Sequence, residues 1–149
     1  GAQAIRQQGS GLNGALDVGR AWALRHHADA LMIVLGDLPL LTMDDVRALA
    51  TLAQSAPAVP SVTIAPDRAE RGTNMLLLRP PTALTFAFGE NSLAQHLALA
   101  RAAGIEPRIA HLPGAAFDVD TPDDLRELAE RGLWHPSGPH RHLWAGEAS

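Results

Sequence analysis

Cysteine and lysine are both absent from this 149-residue sequence, and no apolar run is long enough to span a bilayer. Without cysteine there is no disulfide framework, no thiolate nucleophile, no cysteine zinc site and no redox chemistry on the protein's own side chains. Without lysine, all twelve basic residues are arginine, so neither a lysine point charge for phosphate nor a Schiff-base amine is available within the chain. The first residues carry neither the charged nor the apolar region of a signal peptide; the expected location is cytoplasmic, with no membrane partner. A net charge of −4 argues against a basic face for nucleic acid, and no nucleic-acid partner is expected. What is present is enough apolar material, 46% of the residues, for the core of one domain.

Apolar positions Leu12, Leu16, Ala23 and Leu24 predict a helix from Leu12 to about His27. The run Ala30 to Leu35 predicts a buried strand. Thr42, with Asp45 three residues on, predicts a capped helix that ends by Pro57 and Pro60. Strands are expected at Val62 to Ala65 and Asn74 to Leu78, separated by turn-rich sequence. Ser92 with Gln95 reads as a capping box for a helix stopped by Gly104, and a strand is expected around Pro107 to Leu112. Thr121-Pro122-Asp123-Asp124 starts a last helix. Residues 134–149, rich in Pro, Gly, His and Arg, read as a disordered tail after a folded portion over 1–133. Strands alternating with helices imply an α/β fold with a three-layer, mostly parallel sheet.

Asp37 follows the apolar run 30–35 directly, at the carboxyl end of a strand, where open α/β sheets bind ligands. Asp118 and Asp120 lie two residues apart in a segment that, if extended, projects both carboxylates to one side. Each element alone has an ordinary explanation as a turn or a helix cap. Together, three carboxylates from two distant segments suit Mg2+, which takes oxygen ligands and leaves positions for water and substrate phosphates. Gly72-Thr73-Asn74 at a strand mouth and Phe88-Gly89-Glu90-Asn91-Ser92 at a helix start offer hydroxyls, close backbone approach and helix N–H groups to a small anion. Arg68 and Arg71 flank the first of these and are candidate phosphate contacts. The histidines at 26, 27, 135, 140 and 142 have no zinc spacing within an ordered element, and no serine-triad elbow is visible.

With these pieces the chain resembles the guanylyltransferases of coenzyme F(420) biosynthesis, the 2-phospho-L-lactate and phosphoenolpyruvate guanylyltransferases. The matching residues are Gly11-Leu12-Asn13-Gly14-Ala15-Leu16, Gly36-Asp37-Leu38-Pro39-Leu40, Ala65-Pro66-Asp67-Arg68, Arg71-Gly72-Thr73-Asn74, Phe88-Gly89 with Ser92 and His96, and Asp118-Val119-Asp120-Thr121-Pro122-Asp123-Asp124-Leu125. They occur in the family's order across roughly residues 9 to 128. The resemblance implies a GT-A-like, Rossmann-like nucleotidyltransferase, with Asp37, Asp118 and Asp120 as catalytic metal ligands. It places Thr73, Gly89 and Ser92 on the phosphorylated three-carbon acid, and Asn13, Arg68 and Arg71 as candidate nucleotide or phosphate contacts. The family's first strand and triphosphate-gripping loop have no counterpart here, so the chain reads as an amino-terminally truncated, carboxyl-terminal portion of the fold, expected to be inactive alone.

The implied reaction joins GMP from GTP to phosphoenolpyruvate or 2-phospho-L-lactate and releases pyrophosphate, with Mg2+ as cofactor. The GC-rich character of the composition favours phosphoenolpyruvate, and a homodimer is left open. Two rivals stand beside this reading: another nucleotidyltransferase of the molybdopterin guanylyl or cytidylyl type, and a non-catalytic remnant acting as a binding module.

Overall fold

In the computed structural model, which describes residues 2–7, 10–55 and 59–134, the elements are α1 (Leu12–Arg25), β1 (Leu31–Val34), α2 (Met43–Gln54), β2 (Ser61–Pro66), β3 (Thr73–Arg79), α3 (Ser92–Ala102), β4 (Arg108–Ile109) and α4 (Pro122–Glu130). The strands form one sheet in the order β1-β3-β2-β4. β3 pairs antiparallel with both β1 and β2, whereas β2 pairs parallel with β4. Thus β1, β2 and β4 share a direction, and β3 alone opposes them from inside the sheet. The cause is local: residues 67–72 leave too little chain between β2 and β3 for the crossover that parallel neighbours need.

The side-chain alternation of β3 builds the three layers. Leu76 and Leu78 pack with Val62, Ile64, Phe88, Leu93 and Ala100 on the face that carries α3 and Leu16 of α1. Met75 and Leu77 pack with Leu49 and Ala53 of α2 on the other face. Because β3 is buried on both faces, it reads as a continuous apolar run rather than an alternating one. Each such fully buried aliphatic side chain contributes about 1.5–3 kcal/mol.

The capping box expected at Thr42 forms, and the helix start expected at Thr121 proves to be a second one. At α2 the Thr42 hydroxyl accepts the Asp45 N–H, while the Asp45 carboxylate accepts from the Thr42 N–H at 2.9 Å. Burial pushes the Asp45 carboxyl up, yet hydrogen bonds from Thr42, Gly114 and its own N–H outweigh burial and hold it below the usual range. Gly114 has to be glycine, since a Cβ there would lie 2.2 Å from Asp45 Oδ2 and 2.5 Å from the Leu40 carbonyl oxygen. Thr121 and Asp124 form the equivalent box at α4.

Three expectations change. Asn91, in the left-handed region at φ 52°, caps α3 without a side-chain bond; Ser92 is the first helical residue, and its hydroxyl is taken by a tertiary partner, the Thr73 N–H at 2.9 Å. Gln95 instead donates to the Glu90 carbonyl. The strand expected at 107–112 contracts to the two residues of β4, and 117–120 is irregular. Apart from Trp134, the tail expected over 134–149 lies outside the described residues. Among the described residues no helix is long and apolar enough to cross a membrane.

Candidate active site

Asp37 and Asp67 follow the carboxyl ends of β1 and β2, which run the same way, and both border one cleft of about 330 Å³. Asp118 and Asp120 border it too. What brings the distant acidic segment here is a backbone bond, Val119 N–H to the Asp37 carbonyl at 3.1 Å. The following turn is fixed by Asp124, whose Oδ2 accepts from the N–H groups of Asp120 and Thr121 and from the Thr121 hydroxyl. Burial raises the Asp118 carboxyl, and the charges of Asp120, Asp67 and Asp37 raise it further against an opposing backbone hydrogen bond.

This donor set is all oxygen and mutually repulsive, the condition that a hard divalent cation relieves. Among the described residues, however, no three His, Cys, Asp or Glu side chains form a closed metal-holding group. The residues therefore fit an ion held by one or two carboxylates, with water and substrate phosphate completing the shell, as magnesium prefers.

A second set of groups borders the same cleft: Thr73 at the start of β3, Gly89 before α3 and Ser92 at its first turn. Gly89 sits at φ 132°, which side chains rarely adopt, so its backbone conformation requires glycine. Two of the N–H groups at this helix start are already taken. Ser92 N–H donates to the Gly89 carbonyl at 3.2 Å and Leu93 N–H to the Arg71 carbonyl at 3.0 Å. The hydroxyls of Thr73 and Ser92 are the side-chain donors this set can offer.

The two arginines differ in their partners. Arg71 borders the cleft. Arg68 borders an adjoining cavity that Asp118, Asp120 and Arg71 also line, and there it is paired with Asp124 and Glu127 and stacked over Phe117 at 4.9 Å, bracing α4 against the hairpin. The Asn13 amide clamps the Phe88 backbone from both sides, donating to its carbonyl at 3.0 Å and accepting its N–H at 2.9 Å. Asn13 is not among the residues bordering the cleft. Two residues escaped a role in the sequence reading. Asp67 stood in a matched segment and could have been found by the strand-end rule that found Asp37. His96 is fully buried and bonded to Thr73, a pairing across 23 positions with no local signal.

The chain spans about three-fifths of the length of the curated relatives it matches. It is 49% identical over 131 residues to a phosphoenolpyruvate guanylyltransferase of Sphaerobacter thermophilus, covering 87% of this chain and 60% of that one. It is 46% identical to the enzyme of the same name from Rubrobacter xylanophilus, covering 89% of this chain and 63% of that one. Against a 3-phospho-D-glycerate guanylyltransferase of Colwellia psychrerythraea it is 33% identical, with 87% and 60% covered. The fold is similar to that of a nucleotide-diphospho-sugar transferase, so described putatively, from Desulfovibrio desulfuricans G20, with a TM-score of 0.61 at 18% identity over 85% of this chain and 54% of that one. The family model described as guanylyl transferase, CofC like, matches residues 1–140, and the chain belongs to that family.

Proposed function

We propose that the full-length protein transfers GMP from GTP to phosphoenolpyruvate and releases pyrophosphate, a step of coenzyme F(420) biosynthesis. The observation that carries this reading is the meeting, in one cleft, of a carboxylate set and a hydroxyl set within a guanylyl transferase family. The family match weighs against a molybdopterin-type enzyme. Phosphoenolpyruvate is preferred over 2-phospho-L-lactate because relatives at 49% and 46% identity carry the phosphoenolpyruvate name, and over 3-phospho-D-glycerate because that relative stands at 33%. A cytoplasmic location goes with GTP and phosphoenolpyruvate as substrates.

In this reaction a phosphate oxygen of the acid attacks the α-phosphorus of GTP. The new phosphorus–oxygen bond forms as the bond to the bridging oxygen of the β-phosphate breaks, and pyrophosphate leaves with that electron pair. The nucleophile is already anionic, so no general base is needed, and the protein contributes position and charge. Thr73 and Ser92 donate to the anionic ends of the acid, the Gly89 backbone lets it approach closely, and Arg71 offsets charge at the rim. One or two of Asp37, Asp118 and Asp120 would hold magnesium, and the remaining carboxylates, with Asp67, add to the negative field. Bound there, magnesium supplies charge neutralisation on the reacting phosphates.

The test is pyrophosphate release by the full-length protein from GTP with each of phosphoenolpyruvate, 2-phospho-L-lactate and 3-phospho-D-glycerate. Release fastest with phosphoenolpyruvate and dependent on magnesium is the expected result. No release with any of the three acids would remove the reading.

A further inference from the structure

The Ala87 N–H donates to His96 Nε2 at 3.1 Å, and His96 Nδ1 lies 3.0 Å from the Thr73 hydroxyl oxygen. A backbone N–H can only donate, so Nε2 is the unprotonated nitrogen and a neutral ring carries its proton on Nδ1. The ring stays neutral because burial pushes its pKa down to about 4. Nδ1–H then donates to Thr73, whose oxygen serves as acceptor there and whose own proton is left to point elsewhere. Ser92 is set the same way, since its oxygen accepts the Thr73 N–H at 2.9 Å. Both residues border the cleft.

We infer that His96 is a positioning residue that fixes the Thr73 hydroxyl as a dedicated hydrogen-bond donor to an anionic oxygen of the acid substrate. The inference rests on the proposed function for the identity of that acid. The relay is built into the fold: the Phe88 ring meets the His96 ring edge-on at 4.9 Å, and Asn13 clamps the Phe88 backbone next to Ala87. With Thr73 and Ser92 both turned to donate, the pocket favours carboxylate or phosphate oxygens over groups that bring their own proton. A freely rotating hydroxyl would serve either.

Two measurements on the full-length protein test it. Long-range proton–nitrogen NMR of the wild type should show His96 protonated on Nδ1; protonation on Nε2 would overturn the inference. Calorimetric titration with phosphoenolpyruvate should then separate two replacements. In His96→Gln the amide takes the place of Nε2, keeps the Ala87 bond and releases Thr73, so affinity should fall about fivefold, less than the loss of a whole hydrogen bond because the freed hydroxyl can still donate but has to be oriented by the ligand. In His96→Asn the amide nitrogen takes the place of Nδ1 and restores affinity to within about threefold of wild type, although the fold is weakened by the unpaired Ala87 N–H. Equal weakening in both variants would mean that His96 is only a packing residue. A wild type that gave these binding results yet released no pyrophosphate from GTP would count against the proposed reaction and leave this role standing.

Discussion

The two sets of groups that border the cleft are built on opposite principles. Asp37, Asp67, Asp118 and Asp120 stand in loops and are held by backbone bonds such as Val119 to Asp37; burial raises the pKa of Asp118, and the charges of the other three raise it further. Thr73, Ser92 and His96 are buried and neutral, and each polar side chain among them has a named protein partner. Asp67 accepts the Arg71 N–H at 2.8 Å, while Asp118 sits in a field of like charge that a bound cation would relieve. The hydroxyls are oriented before any ligand arrives. Charge is thus stored in one part of the cleft and direction in the other, a division that suits a reaction needing both neutralisation and alignment.

The comparison breaks most visibly at Asp118. Asp118→Asn should lower turnover about a hundredfold or more, the scale of losing one well-placed electrostatic group. Its thermal midpoint in metal-free buffer should stay level or rise, because the amide removes a charge from the field of Asp120, Asp67 and Asp37. A lowered midpoint with unchanged turnover would reverse the roles assigned to the two sets.

Next in size is the pH response of the hydroxyl set. An unfolded histidine takes up a proton near pH 6.5, whereas the folded His96 resists until about 4. Between those values only the unfolded chain gains the proton, so stability falls as pH falls through this window and loses nothing more from this group below it. The expected loss is about 3 kcal/mol, read by urea unfolding as the difference between wild type and His96→Asn across pH. A difference that stays constant with pH would show that the ring is not held neutral.

The smallest effect belongs to the scaffold that aims the acidic set. Thr121→Ala removes the cap that bonds Asp124, and with it about 1 kcal/mol of stability in denaturant unfolding. Asp124 should become easier to protonate in the variant, since its Thr121 hydrogen bond is the main cause holding its carboxyl below the usual range. No change in either quantity would mean that the Arg68 pair alone secures the start of α4.

What could be read in the sequence was what lies within a few residues of itself. The Thr42 and Thr121 caps are three-residue patterns, and both form. Asp37 was marked by the apolar run before it, and the Asp118-Val119-Asp120 triplet by its spacing; both reach the same cleft. The direction of β3 was hidden because alternating strands and helices say nothing of a short hairpin between β2 and β3. Ser92 fitted the local rule for a cap yet is used by the Thr73 N–H, a tertiary partner that outbids the helix end. His96 was quoted only within a family match, because its role depends on Thr73 and Ala87, which only folding brings to it. The pairing of Arg68 with Asp124 and Glu127 was hidden too, because those partners lie 56 and 59 positions further along the chain.

The central claim is that the hydroxyl set holds the acid and the carboxylate set serves the nucleotide phosphates. Steady-state kinetics of Thr73→Val in the full-length protein, with GTP and phosphoenolpyruvate varied in turn, tests it most directly. The account predicts a KM for phosphoenolpyruvate raised roughly thirtyfold, the loss of a buried hydrogen bond to a charged group, with the KM for GTP within about twofold of wild type. A raised KM for GTP beside an unchanged KM for phosphoenolpyruvate would contradict it.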